Sequence, residues 1–166
     1  MQKKLTAFPP GLNALYRRIM DQIHNPEDTE DAELCKSILA IMSAVQRPIT
    51  LDKLAPFVDM PKEASTHREA LAEIIGLCGS FLTLQERTIS FIHQSAKDFL
   101  LGEAVNEIFS SGIEDIHYFI FSRSLQVIAD TLHRDIYNLN APRYSINDAK
   151  SPEPDPLAAA QYAYVY

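Results

Sequence analysis

Over the first 45 positions the apolar residues fall at helical intervals. Leu12, Leu15, Tyr16, Ile19 and Ile23 share one face after Pro9-Pro10-Gly11, with Pro10 where a helix's first turn tolerates proline, and Asn25-Pro26 stops that helix near His24. Asp28 or Thr29 is placed to cap a second helix with an acidic first turn. Its buried stripe is Leu34, Ile38, Ile41, Met42 and Val45, and Arg47-Pro48 closes it. Ile49-Thr50-Leu51 predicts a short extended piece, then a helix capped by Thr50 and stopped between Pro56 and Met60. After Pro61 a fourth helix carries Leu71, Ile74, Ile75 and Cys78 on one side, with Gly79 at its C-terminal cap.

The period then drops to two. Leu82 and Leu84 alternate with polar neighbours, Gln85-Glu86-Arg87 makes a tight connection, and Ile89 and Phe91 alternate again, which predicts a two-stranded hairpin. Helices followed by a hairpin is the order of a winged-helix domain. Directly after the second strand, Ser95 and Asp98 have the Ser-x-x-Asp spacing of a capping box, opening a short helix that ends at Gly102. A longer helix over about 115–136 places Phe121, Leu125, Ile128, Leu132 and Ile136 at three- and four-residue steps, and is expected to pack beside the wing.

The expected fold is therefore mainly α: a winged-helix domain with a leading helix over 1–103, its small β-hairpin as the wing, and a helical extension over 104–137. Pro142, Pro152, Pro154 and Pro156 predict a linker or irregular strap over 138–156. Residues 157–166, Leu157 followed by three alanines and an aromatic-rich stretch, read as the start of a further helix. A helix cut in its middle leads us to expect a piece of a longer protein. Uncovered, its aromatic surface would self-associate or dock on a missing domain; the alternative is packing on the chain's own helices.

At 166 residues the chain is long enough to build a core, and 46% hydrophobic with 22% charged residues is ordinary for a globular protein. The longest apolar runs fall far short of a bilayer span, and the N-terminus meets prolines before any secretory apolar region develops. No membrane is expected as a partner. Fifteen Lys and Arg against 22 Asp and Glu give a net charge of −7, which disfavours general nucleic-acid binding. Cys35 and Cys78 sit inside apolar helical patterns, and two reduced, buried thiols in a cytoplasmic protein are the simplest reading.

The residues carry little reactive chemistry. With five glycines and no Gly-x-x-x-x-Gly-Lys-Ser/Thr stretch, the chain has no loop to cradle phosphates and is not expected to be an enzyme by itself. His24, His67, His93, His117 and His133 are scattered without zinc-binding spacing, and no metal site is expected. His67 and His133 read as solvated helix positions, and His24 suits a helix end that favours a cation. A hydrolase built on Ser95, His93 and Asp98 would lack a nucleophile elbow, and helix capping already explains Ser95. His93 differs in place: it ends a strand just before a helix N-terminus, where an imidazole either donates to a phosphate or bonds a backbone carbonyl of the wing.

The string Phe91-Ile92-His93-Gln94-Ser95-Ala96-Lys97-Asp98-Phe99-Leu100 resembles the histidine motif at the winged helix of STAND-class NTPases, especially fungal NACHT proteins of the vegetative-incompatibility, NLR-like kind. This winged-helix type is also named after GPI inositol-deacylase-like proteins. Pro9-Pro10-Gly11-Leu12-Asn13-Ala14-Leu15-Tyr16 is similar to the segment that opens the region after the NACHT core, and Arg47-Pro48-Ile49-Thr50-Leu51 to its connector. The similarity continues through residues 131–137 and 155–157, and it departs from animal and plant receptors in having Gln94, where they often have Asp after the histidine.

The resemblance implies a non-catalytic regulatory and interaction module of signal transduction that covers a nucleotide bound by a NACHT domain and gates oligomerisation. The residue at His93 would contact the phosphate of ADP. Phe91, Ser95, Asp98, Phe99 and Leu100 would complete the motif and its helix cap. It implies no cofactor in the isolated chain, ADP or ATP only through a missing NACHT domain, and partners comprising that domain in cis or in trans and a C-terminal repeat domain. The competing expectation is a DNA-binding winged helix. Its recognition helix over 62–79 would hold Lys62 and Arg68 but also Glu63, Glu69 and Glu73, a poor surface for phosphates.

Overall fold

The computed structural model describes residues 11–24, 29–45, 47–60 and 67–139, together with 145, 155 and 157. Helix α1 spans Leu12–His24 and α2 spans Thr29–Ala44. Strand β1, Ile49–Thr50, runs straight into α3, Leu51–Leu54, and a 3-10 turn at Ala55–Phe57. Helix α4, His67–Leu77, is followed by a second 3-10 turn, β2 at Leu82–Gln85 and β3 at Thr88–Phe91. Then come α5, Gln94–Gly102, α6, Val105–Ile108, and α7, Ile113–Thr131.

Helix α2 is the centre of the core. From Ile38 to Ser43 every residue is buried, so all its faces are covered, and α1, α4, α5, α6 and α7 pack around it. That arrangement explains why its sequence is apolar beyond a single stripe. Helix α1 adds Tyr16, Ile19, Met20 and Ile23 to the same core. Thr50 stands at the N-cap of α3, but its side chain makes no capping bond.

The wing is larger than a hairpin. β1 pairs antiparallel with β3, Ile49 opposite Ile89, so the sheet has three strands in the order β1-β3-β2. The two turn residues Glu86 and Arg87 both have positive φ, 48° and 82°, the backbone that a two-residue hairpin requires. Asp52 of α3 holds Arg87 at 2.6 Å and Arg68 of α4 at 2.8 Å, tying the turn to two helices. At the end of α4, Gly79 takes φ +63°, as a helix C-cap demands, and a Cβ there would lie 3.1 Å from Ile19 Cγ2.

Helix α7 departs from the sequence reading in extent, face and neighbours. It ends at Thr131, and residues 134–137 form a turn. Ile116, Phe119 and Ile120 face the core, whereas Phe121, Leu125 and Leu132 of the expected stripe are exposed. It packs on α2 and the Ala55–Phe57 turn, not beside the wing. The expected proline strap falls largely, and the expected last helix almost wholly, outside the described residues, as do Asp28 and the 61–66 segment leading into α4.

Candidate functional site

The strand-to-helix junction after β3 sets the geometry of the site. His93 is the N-cap of α5: its backbone is extended, at φ −148° and ψ 148°, and its carbonyl accepts from Ala96 N at 3.0 Å. Its Nδ1 accepts the backbone N–H of Ser95 at 3.1 Å and lies 2.7 Å from Ser95 Oγ. A backbone amide can only donate, so Nδ1 is the unprotonated ring nitrogen and the ring proton sits on Nε2. The imidazole is exposed, and Nε2–H is a donor on the side away from the cap.

Ser95 therefore is not the cap that its spacing suggested. Its side chain is buried at 8% exposure and its hydroxyl bridges inward, 2.9 Å from Tyr16 OH of α1. With Ser95 Oγ–H committed to Nδ1, Tyr16 donates to Ser95, and the three side chains form one chain from the core to the surface. Asp98 does not complete a capping box either: its Oδ1 accepts from Gln94 Nε2 at 3.0 Å on the exposed side of α5. Phe99 and Leu100 of the motif are core residues at 1% and 0% exposure, and Phe91 is half-buried against the core edge.

Tyr16 is held by an aromatic cluster. It stacks on Phe81 at 5.4 Å and tilts against Phe99 at 5.5 Å, while Phe81 and Phe99 stack at 6.2 Å. Arg17, the next residue, lies 5.3 Å above the Phe99 ring, pairs with Glu107 and donates to the Glu103 carbonyl at 3.2 Å. His24 caps the end of α1 through Met20 O at 2.8 Å and approaches Glu107 at 3.7 Å. Helix α1 thus grips α5 and α6 from Tyr16 to His24. Sequence reasoning assigned Tyr16 only to a helix face, because nothing local marks its bond to Ser95, 79 positions away.

Beside the cap lies a shallow cleft of about 190 Å³, lined by Val45, Arg47, Pro48, Phe91, Gln94 and Lys97. Nothing in the sequence pattern singles out Lys97 within the motif. Its Nζ donates to Val45 O at 2.7 Å, just past the last turn of α2, and stands 6.0 Å over the Phe91 ring. Burial lowers its pKa from the ordinary 10.5, opposed by the neighbouring Asp98 carboxylate.

Away from this junction, Cys35 and Cys78 are free, buried and face one another between α2 and α4. The hydrogen bond of Cys78 toward Cys35, with burial, raises the Cys78 pKa well above 9.0 and keeps that thiol protonated. His117 and His133 are exposed, while the His67 side chain lies outside what is described. On α4, Glu69 and Glu73 are exposed and Arg68 is paired with Asp52. Among the described residues no group of three or more His, Cys, Asp or Glu could hold a metal ion, and no helix is long and apolar enough to cross a membrane.

The family described as the GPI inositol-deacylase winged helix domain matches residues 26–111, from before α2 to the end of α6. The chain belongs to this winged-helix family. Vegetative incompatibility protein HET-E-1 of Podospora anserina is 51% identical over 175 residues, a match covering 98% of this chain and 13% of that protein. The chain spans 13% of the length of the curated relative it matches. No solved structure matches the chain significantly. Within the winged-helix family match lie His93, Ser95 and Lys97, while Tyr16, whose hydroxyl bonds Ser95, falls before it.

Proposed function

We propose that the chain is the non-catalytic regulatory arm of a STAND-class NTPase, and that His93 is its contact to the nucleotide. In this reading a NACHT domain, in cis or in trans, holds ADP, and the Nε2–H of His93 donates to a phosphate oxygen. The observation that carries it is the fixed tautomer: Nδ1 is committed to the helix cap, so the exposed nitrogen must be the donor. The N-terminus of α5, a nine-residue helix, adds a field that favours an anion at the same place. Exchange for ATP, with its additional phosphate, would displace the arm and free the assembly for oligomerisation in cytoplasmic signalling.

The Tyr16–Ser95–His93 chain supports this role because it couples the donor to α1. If α1 is the element that leaves the NACHT core, a shift of α1 moves Tyr16 and with it the hydroxyl that orients the imidazole. The acidic balance of the chain and the pairing of Arg68 favour a protein-bound nucleotide over duplex DNA as the partner. A C-terminal repeat domain would complete the assembly.

The test is nucleotide retention by an ADP-loaded NACHT domain joined to, or mixed with, the chain. A hydrogen bond to a charged phosphate is worth about 1.5–3 kcal/mol, so His93→Ala should speed ADP release about 10- to 100-fold. Loss of the α5 cap should lower the melting temperature of His93→Ala somewhat, so the assay is run well below it. Unchanged release from a His93→Ala protein that is folded by circular dichroism at that temperature would remove His93 from the nucleotide site.

A further inference from the structure

Two thiols meet inside the core, and the nucleotide contact makes no use of them. Cys35 of α2 is 2% exposed and Cys78, just past α4, is 0% exposed. Both are tied to the last turn of α4. Ile74 O accepts the backbone N–H of Cys78 at 3.0 Å and the thiol of Cys35 at 3.6 Å, so the Cys35 sulfur lies against the turn from which Cys78 projects. From the other side, Cys78 Sγ stands 4.0 Å from Cys35 O, and its thiol donates toward the Cys35 sulfur. Among the described residues the pair belongs to no group of three or more His, Cys, Asp or Glu that could hold a metal ion, which leaves it the chemistry of a dithiol.

We propose that Cys35 and Cys78 are a reversible redox site, which hydrogen peroxide oxidises to a disulfide that clamps α4 to α2. The Cys35 thiolate attacks one peroxide oxygen: an S–O bond forms, the O–O bond breaks, and the departing hydroxide leaves as water with the proton that Cys35 gave up. The Cys78 sulfur then attacks the Cys35 sulfur: an S–S bond forms, the S–O bond breaks, and hydroxide leaves as water with the Cys78 proton. The two thiols together lose two electrons, and one peroxide is reduced to two waters.

The two cysteines have unequal roles. The hydrogen bond from Cys78 lowers the Cys35 pKa, opposed by burial and the Asp31 carboxylate, while Cys78 keeps its proton for the second step. The thiolate is the nucleophile, so Cys35 reacts first. Burial selects the oxidant by size, because hydrogen peroxide is little larger than water and a bulky disulfide reagent finds almost no sulfur surface to attack. The bond also fixes the turn that leads to Phe81, whose ring stacks on Tyr16 at 5.4 Å.

The test treats the full chain, at low micromolar concentration, with hydrogen peroxide, alkylates it in denaturant and weighs it intact. The expected product is a monomer lighter by two hydrogens, closed to alkylation at both cysteines and restored by dithiothreitol. Joining positions 43 residues apart should raise the melting temperature of the oxidised chain by about 5–15 °C over the reduced one. In Cys78→Ala the reaction should stop at a sulfenic acid on Cys35, trapped by dimedone; Cys78→Ser serves should Cys78→Ala fold poorly. Two alkylatable thiols after peroxide, a disulfide-linked dimer, or sulfinic acids in place of the bond would each overturn the proposal. So would an oxidised chain that melts no higher than the reduced one.

Discussion

Tyr16→Phe removes one oxygen atom from a buried chain and leaves the ring stack on Phe81 and Phe99 in place. Tyr16 is 5% exposed, so no water replaces the lost partner of Ser95. A neutral buried hydrogen bond contributes about 1 kcal/mol, which in a chain of this size lowers the melting temperature by about 2–4 °C. Ser95→Ala should cost more, about 2–3 kcal/mol, because it strands the Tyr16 hydroxyl in the core and takes the closer donor from His93 Nδ1. In the Tyr16→Phe background there is no such hydroxyl to strand. The double variant should therefore be about 1 kcal/mol more stable than the sum of the two single losses.

Urea titration at constant slope gives the three stabilities, and ¹⁵N–¹H correlation of the His93 ring reads the tautomer directly. The wild type should show the proton on Nε2. Additive losses would mean that Tyr16 and Ser95 do not share a bond, and a proton on Nδ1 would refute the relay and the donor assignment together.

Two further perturbations probe the supports of the site. Gly79→Ala forces a non-glycine residue to φ +63° and sets its Cβ against Ile19, so a loss of about 1–2 kcal/mol in urea titration is expected; a neutral outcome would mean that the α4 cap relaxes freely. For Lys97, the folded chain disfavours the charged form, so the unfolded chain binds more protons between the lowered native pKa and 10.5. Its contribution is therefore complete above 10.5 and lost as pH falls through the native pKa, and wild-type stability relative to Lys97→Met should rise with pH across that window. A flat difference would show that the ammonium stays solvated.

The order of helices and hairpin was legible because each element carries one dominant period. Helix α1 shows a single stripe, and the β2–β3 hairpin alternates cleanly around Glu86-Arg87. Strand β1 escaped as a sheet member because two residues cannot display an alternation. Helix α7 misled because it has apolar stripes on both faces, and periodicity alone cannot say which one meets the core. At the site, Ser-x-x-Asp satisfied a local rule while the backbone capped two residues earlier, on a side chain outside the usual set of Ser, Thr, Asp and Asn. The long-range bond to Tyr16 then drew Ser95 inward.

The matched family region begins at residue 26, yet the site depends on what precedes it. Helix α1 places Tyr16, Ile19, Met20 and Ile23 in the core, each worth about 1.5–3 kcal/mol relative to exposure, and it covers Phe81 and Phe99. That sum is of the same order as the whole stability of an ordinary domain, about 5–15 kcal/mol. A chain lacking residues 1–25 would expose that cluster and strand Ser95 Oγ. It should lose its cooperative melt and bind a hydrophobic dye, while the intact chain melts cooperatively and leaves the dye unbound. If the shortened chain melted within a few degrees of the intact one, α1 would be a passenger, and the winged helix would hold its histidine without help from the helix before it.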